Sequence, residues 1–158
     1  MQLEIVSRSD VGLKRKHNED RLAVYPDTGL LLLADGMGGY NAGEIASQLV
    51  IDTIAEQLLP ILEAEGETAG PREVESAVSM SNIAIFDAVE RNADLNGMGT
   101  TIVLALLQES RIVIAHVGDS RLYRFRGGTL ELLTSDHSML QELIDQGMFT
   151  NEVEAIDA

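Results

Sequence analysis

The most informative stretch of the chain is Leu30-Leu31-Leu32-Leu33-Ala34-Asp35-Gly36-Met37-Gly38-Gly39. Its apolar run of five residues is too short for a typical helix and predicts a buried strand. The strand ends on the carboxylate of Asp35, and three glycines then allow a sharp turn because no Cβ restricts φ. Asn41 and Glu44 follow with the Asn-x-x-Glu spacing of a helix capping box. The order is therefore a strand, a carboxylate, a flexible turn and a capped helix.

Two interpretations of Asp35 and its glycines are open at this point. Aspartate and glycine are common in ordinary turns, but carboxylate and carbonyl oxygens are also the ligands that Mg²⁺ and Mn²⁺ prefer. The preceding residues favour the metal, since residues 21–25 predict a strand and residues 26–29 a turn, which together make a hairpin. The hairpin would bring Glu19 and Asp20 to the edge where Asp35 lies, and neighbouring carboxylates repel one another without a cation.

Composition limits the classes of protein that the chain can represent. The 158 residues predict one domain, over residues 1–158, and 45% hydrophobic content is typical of a globular protein. The net charge of −15 argues against nucleic-acid binding. There is no cysteine, so any metal must be held by oxygen or imidazole. The first residues do not resemble a signal peptide and no apolar run reaches membrane-spanning length, so we expect a cytoplasmic protein.

The few basic residues are concentrated near one end of the chain. Five of the eleven lie within residues 8–21: Arg8, Lys14, Arg15, Lys16 and Arg21. Such a cluster is usually a solvated surface, but it could also concentrate positive charge for a phosphorylated substrate.

The remaining segments predict short strands and long helices. Strands are predicted at Glu4–Ser9, Thr101–Leu107 and Arg111–Val117, helices at 41–59 with Pro60 just beyond and at 71–92, and a hairpin from Arg121–Arg126 and Leu130–Leu133. An amphipathic helix with apolar residues between Met139 and Ile144 follows.

Five motifs in this order resemble the bacterial branch of the PPM-type metal-dependent serine/threonine protein phosphatases, the type 2C class. They are Arg15-Lys16-His17-Asn18-Glu19-Asp20, Ala34-Asp35-Gly36-Met37-Gly38-Gly39, Gly97-Met98-Gly99-Thr100-Thr101, His116-Val117-Gly118-Asp119-Ser120-Arg121 and Thr134-Ser135-Asp136-His137-Ser138. Each motif is weakly specific alone, but together they span residues 15–138. The resemblance implies an α+β fold with two packed antiparallel β-sheets flanked by helix pairs, an α-β-β-α sandwich.

The resemblance also implies hydrolysis of phosphoserine and phosphothreonine in proteins by a metal-bound hydroxide, with two Mn²⁺ or Mg²⁺ ions and a third, weaker one. Asp35 would bridge the two ions and the Gly36 carbonyl would join one of them. Glu19 and Asp20 would hold metal-bound waters, and Asp20 would also orient the nucleophile. Arg15 would bind the substrate phosphate. Asp119 would support a metal, including the third.

The chain departs from the family at two points. Met37 stands where many relatives have a histidine that protonates the leaving group, which methionine cannot do. The two aspartates that complete the metal pair in the family, in a Ser-Asp-Gly and an Asp-Asn segment, do not occur before residue 158. We therefore expect an incomplete domain that ends within the family's flap after Ser138. By itself it should have no or only trace activity, and it should be marginally stable, associate with itself or need the remainder of the domain in trans.

Some candidates have a simpler interpretation. His116 lies on an apolar strand and is interpreted as a core histidine with satisfied hydrogen bonds rather than a ligand. Thr100 and Thr101 fit the opening of a buried strand. For the function, the alternative to an enzyme is a non-catalytic module that binds a phosphorylated protein through Arg15.

Overall fold

The computed structural model describes residues 3–39 and 42–137. The chain divides into two compact units, residues 1–116 and 117–158. The predicted helix between Met139 and Ile144, the flap and the Asn41 cap all lie outside the described residues.

The first unit consists of a β-sheet and two long helices. Its elements are β1 (Asp20–Tyr25), β2 (Leu30–Met37), α1 (Ala42–Glu63), α2 (Pro71–Arg91), a 3₁₀ turn (Ala93–Leu95), β3 (Gly99–Thr100), β4 (Ile102–Leu107) and β5 (Ile112–Val117). The strand order is β1-β2-β4-β5, and the short β3 pairs with the end of β2. The predicted hairpin of β1 and β2 is confirmed, with Asp20 paired to Asp35 and Tyr25 to Leu30.

The strand β2 lies in the interior of the sheet and determines which residues face the helices. Leu30, Leu32 and Ala34 are buried, whereas Leu33, Asp35 and Met37 are exposed, as expected for the two-residue period of a strand. The buried residues of β2 form one core with residues of both helices, of the segment before α2, and of β4 and β5: Val50, Ile51, Ile54, Leu58, Ala69, Val74, Ala77, Ile102, Leu104, Leu106 and Val113. Asp35 is therefore on the opposite face from the helices.

The helix α1 extends further than the sequence predicted. Pro60 lies inside it rather than beyond its end. A proline costs one backbone hydrogen bond, but Ile61 and Leu62 pack against the core beyond it, and their packing outweighs the local preference. Ile45, expected on the buried stripe, is 43% exposed.

Among the described helices, α1 is the one with the length and apolar character to cross a membrane by composition. This differs from the expectation that no apolar run in the sequence reaches membrane-spanning length. Nine of its residues are buried within the fold, which is the pattern of a core helix.

The predicted strand at Glu4–Ser9 is wrong, because residues 3–10 form no strand. The apolar side chain of Val6 is 88% exposed. Ser9 of this segment instead makes side-chain hydrogen bonds with Asp20 and Asn18. Within the described part of the chain, residues 3–10 pair with no strand.

The second unit contains the predicted hairpin, as β6 (Tyr123–Arg126) and β7 (Thr129–Leu132). Its turn at Gly127 and Gly128 has positive φ at both residues, which glycine allows without strain. Tyr123 pairs with Leu132 and Phe125 with Leu130, so one face of the hairpin is apolar. With two antiparallel sheets and two long helices among the described residues, the predicted α+β class is confirmed.

Candidate active site

Two carboxylates meet at one edge of the sheet of the first unit. Asp20 is the first residue of β1 and is paired with Asp35 near the end of β2. Glu19 precedes Asp20, and Gly36 follows Asp35. We call Glu19, Asp20, Asp35 and Gly36 the carboxylate edge. The hairpin geometry brings these residues together as the sequence predicted.

Asp20 is oriented by the segment before it. The Ser9 hydroxyl donates to Asp20 Oδ2 at 3.4 Å, and the Asn18 amide donates to Ser9 Oγ at 2.6 Å. The backbone N–H of Asp20 donates to Asn18 Oδ1 at 3.0 Å. Ser9 and Asn18 therefore restrict the conformation of Asp20, and Ser9 links the segment before the hairpin to the carboxylate edge.

The backbone of Asp35 is held on both sides by one residue. Its N–H donates to Thr101 Oγ1 at 3.0 Å, and the Thr101 N–H donates to the Asp35 carbonyl at 2.9 Å. Thr101, expected to open a buried strand, lies between β3 and β4. Its pairing with Asp35 gives the threonine a structural role at the site that the sequence did not indicate.

Gly36 is needed because of the space around it. A Cβ at this position would lie 2.0 Å from the Gly43 carbonyl oxygen and 2.8 Å from the Glu19 carbonyl oxygen. Gly43, in the first turn of α1, is equally confined, since a Cβ there would lie 2.8 Å from the Glu19 carboxyl group. Three chain segments thus meet with no room for another methyl group. The sequence predicts conformational freedom as the reason for Gly36, Gly38 and Gly39, and it does not single out Gly43.

Glu19 is largely buried and forms an ion pair. Its side chain is 16% exposed and lies 3.4 Å from Arg15 Nη1, while the Arg15 side chain is 69% exposed. The Glu19 carbonyl accepts from the Ser47 hydroxyl at 2.6 Å and from the Gly36 N–H at 3.2 Å. Ser47 is fully buried in α1, so the core helix itself positions Glu19.

Asp119 belongs to the second unit, where it is exposed in a bend after β5. The neighbouring Gly118 carbonyl accepts from the His137 N–H at 3.0 Å. Arg121 donates to both carboxylate oxygens of Asp136, with Nε at 3.0 and 3.1 Å and Nη2 at 2.6 Å. This hydrogen bonding raises the pKa of the Arg121 guanidinium above its ordinary value. The bend that carries Asp119 is thereby joined to residues 136–137.

The donor set of the carboxylate edge suits a divalent ion in part. Asp20, Asp35 and the Gly36 carbonyl are hard oxygen donors of the kind Mn²⁺ and Mg²⁺ prefer. Within residues 3–39 and 42–137, however, no three histidine, aspartate or glutamate side chains are grouped so that they could hold an ion. The edge therefore fits the ion by donor chemistry and presents part of a coordination shell.

The remaining candidate residues from the sequence are a methionine, the three histidines and two lysines. Met37 is 65% exposed at the end of β2, and His116 is half-buried on β5. His17 and His137 are exposed loop residues, as are Lys14 and Lys16.

Comparison with known proteins identifies the family. A model of the protein phosphatase 2C family matches residues 14–157. The chain is 45% identical over 150 residues to the serine/threonine protein phosphatase PstP of Mycobacterium tuberculosis, covering 95% of this chain and 28% of PstP. It is 39% identical over 152 residues to the serine/threonine phosphatase stp of Listeria welshimeri, covering 92% of this chain and 59% of that protein. The chain belongs to the protein phosphatase 2C family.

Solved structures agree on the fold. The catalytic domain of PstP in complex with two manganese ions matches with a TM-score of 0.80 and 42% identity, covering 92% of this chain and 61% of that chain. The chain thus spans 59–61% of the Listeria protein and of this PstP domain.

Proposed function

We propose that this chain is the part of a Mn²⁺- or Mg²⁺-dependent protein serine/threonine phosphatase that carries the first half of its metal site and its phosphate-binding arginine. The observation that carries the proposal is the pairing of Asp20 with Asp35 at one sheet edge, five residues after the 69% exposed Arg15. Family membership supports the reaction class, and the two manganese ions bound to PstP support the cofactor.

In this proposal, the residues of the carboxylate edge hold the metal ions, and Asp20 also orients the nucleophile. Asp35 and the Gly36 carbonyl would bind ions directly, and Glu19 and Asp20 would do so through water. Asp119 would support a further ion from the second unit. When bound, two divalent ions supply an activated water molecule and neutralise charge on the phosphoryl group.

Arg15 would bind the substrate phosphate. Its ion pair with Glu19 is at 3.4 Å and involves an Arg15 side chain that is 69% exposed, and ion pairs at the protein surface contribute only about 0–1 kcal/mol. A phosphate dianion offers two oxygens to the planar guanidinium and forms stronger, charge-assisted bonds. Arg15 is therefore available to exchange Glu19 for substrate.

A second candidate is a non-catalytic module that binds a phosphorylated protein. It is favoured by one observation, that the described residues do not group three ligand side chains. Under either candidate, we propose that residues 1–158 alone hydrolyse phosphoester bonds at most in trace amounts, since a two-ion mechanism needs ligands for both ions.

The test of the phosphatase is Asp35→Asn in the full-length protein. The substitution keeps the shape of the side chain and removes the charge of an ion ligand, so Mn²⁺-dependent hydrolysis of a phosphopeptide should fall more than about 100-fold, beyond the 10–100-fold typical of outer-shell changes. The control is Asp27→Asn, an exposed aspartate in the turn at the other end of the same hairpin, which should hydrolyse normally. Near wild-type turnover by the Asp35 variant would exclude its role. A wild-type protein that binds the phosphopeptide without hydrolysing it would favour the binding module.

A further inference from the structure

Arg21 lies beside the carboxylate edge and makes an unusual number of contacts. Its Nη1 donates to the Asp20 carbonyl at 2.9 Å and to the Asn18 carbonyl at 3.4 Å. Its Nη2 forms an ion pair with Glu44, and its Nε donates to Gln48 Oε1 at 3.1 Å. The Arg21 side chain is 28% exposed, so most of the guanidinium is taken up by these partners.

The contacts join two parts of the fold. Glu44 and Gln48 lie one turn apart on α1, whereas the two carbonyls flank Glu19. The Glu19 carbonyl between them is held by Ser47 of the same helix. Three consecutive carbonyls, at residues 18, 19 and 20, are thus fixed from one side by Arg21 and by α1.

The charge of Arg21 does not suit a direct role at a cation site, since it would oppose an ion. Glu44 compensates this charge by direct pairing. A surface ion pair alone would contribute little, but the planar fork of arginine binds two backbone carbonyls and two side chains at once, which lysine cannot do. The contribution of Arg21 is therefore one of geometry.

We propose that Arg21 is a positioning residue that clamps the Asn18–Asp20 segment to α1 and thereby sets the placement of Glu19 and Asp20 for the metal ions. The proposal rests on the proposed function for its effect on metal. The clamp itself is a property of the metal-free protein and is measured separately.

The experiment compares Arg21→Ala and Arg21→Lys with the wild type in the full-length protein. Arg91→Ala is the matched control, because Arg91 also pairs with a carboxylate, that of Asp87, but at 3.6 Å on the surface of α2, where Arg91 is 81% exposed. Mn²⁺ affinity is measured by calorimetry, and amide hydrogen exchange is measured without metal. Melting temperature shows whether each variant is folded.

We expect Arg21→Ala to weaken Mn²⁺ binding about 10-fold, the lower end for residues that orient metal ligands. Hydrogen exchange should accelerate at the amides of Asp20 and Gly36, because these amides donate to Asn18 and Glu19 of the clamped segment. The amides in the core of α1 should stay protected. Arg21→Lys keeps the charge but not the fork, so it should not restore the affinity. It also carries the test if the alanine variant does not fold. Arg91→Ala should match the wild type in every measurement.

Three results would overturn the inference. The first is unchanged exchange at Asp20 and Gly36 together with unchanged Mn²⁺ affinity in both Arg21 variants. The second is a wild-type Mn²⁺ affinity in Arg21→Lys, which would mean that only the positive charge of the side chain matters. The third is a uniform loss of protection, which would mean a general effect on stability. None of these results would change the expected loss of hydrolysis in Asp35→Asn, so the proposed function would stand. A wild-type protein that binds no Mn²⁺ would overturn both the proposed function and this inference.

Discussion

At the residue scale, Arg15 and Lys16 provide a sharp comparison because they are adjacent, basic and exposed. Arg15→Ala should raise the KM for a phosphopeptide roughly 10- to 100-fold, as expected from the loss of charge-assisted hydrogen bonds of about 1.5–3 kcal/mol. Any fall in kcat reports the share of binding that develops in the transition state. Lys16→Ala should change KM little, since exposed charges are screened. Steady-state kinetics of the full-length protein checks both, and equal effects would indicate a diffuse basic patch instead of a phosphate-binding arginine.

The carboxylates of the site could be predicted from local sequence, whereas the residues that hold them could not. A short apolar run and a turn are enough to place Asp35 opposite Asp20. Arg21 contacts α1 across 23 and 27 positions, and Thr101 reaches Asp35 across 66. Such contacts leave no periodic signal, and Arg21 could be recognised beforehand only as a member of a basic cluster.

At the element scale, the start of α2 has a pH-dependent stabilising contact. The Gly70 N–H donates to Glu73 Oε2 at 2.7 Å, which is the glutamate half of a capping box, since glycine has no side chain to return the bond. Hydrogen bonds from the Glu73 backbone and from Gly70 hold the pKa of the Glu73 carboxyl below its ordinary value. A lowered pKa means that folding favours the ionised form, so the stabilisation is present above the unfolded pKa and is lost as pH falls through the folded one.

We therefore expect Glu73→Gln to lower the melting temperature slightly at pH 7, with a difference from the wild type that shrinks as pH falls below about 4.3. Thermal unfolding between pH 7 and pH 3 measures this. Glu75→Gln removes a carboxylate from the same helix outside the capping box and serves as the control. A Glu73 effect that is equal at both ends of the pH range would contradict an ionic contribution from the cap.

Helix ends were less predictable than helix centres. The start of α2 at Pro71 follows from a local rule, since proline suits the first helical position, and the structure confirms it. Pro60 should have ended α1 by a rule of the same kind. Ile61 and Leu62 continue the helix because they pack on the core, and this packing depends on strands that are distant in sequence.

At the scale of the whole molecule, the exposed apolar surface bears on what residues 1–158 do alone. In the second unit, the apolar face of the hairpin leaves Phe125 71% and Leu130 64% exposed. Contiguous exposed apolar surface favours association, and a two-stranded hairpin is marginal by itself.

We expect purified residues 1–158 to self-associate and to show no or trace Mn²⁺-dependent turnover of p-nitrophenyl phosphate. Light scattering coupled to size-exclusion chromatography and an absorbance assay measure the two properties. The full-length protein is the positive control, and excess chelator gives the background. Robust turnover by a monomer would mean that the described ligands suffice for catalysis.

The contact between Asp35 and Thr101 has a consequence for the order of folding. It closes a segment of 66 positions that contains both α1 and α2. The entropy of closing so long a loop must be overcome before distant pairings become favourable, whereas the hairpin of β1 and β2 and the two helices form from local contacts. The hairpin can thus bring Asp20 to Asp35 early, but the backbone of Asp35 is held in place only when the chain returns after both helices. We therefore expect the candidate active site to be completed late during folding, with amide protection at Asp35 appearing after that of the two helices in pulsed hydrogen exchange.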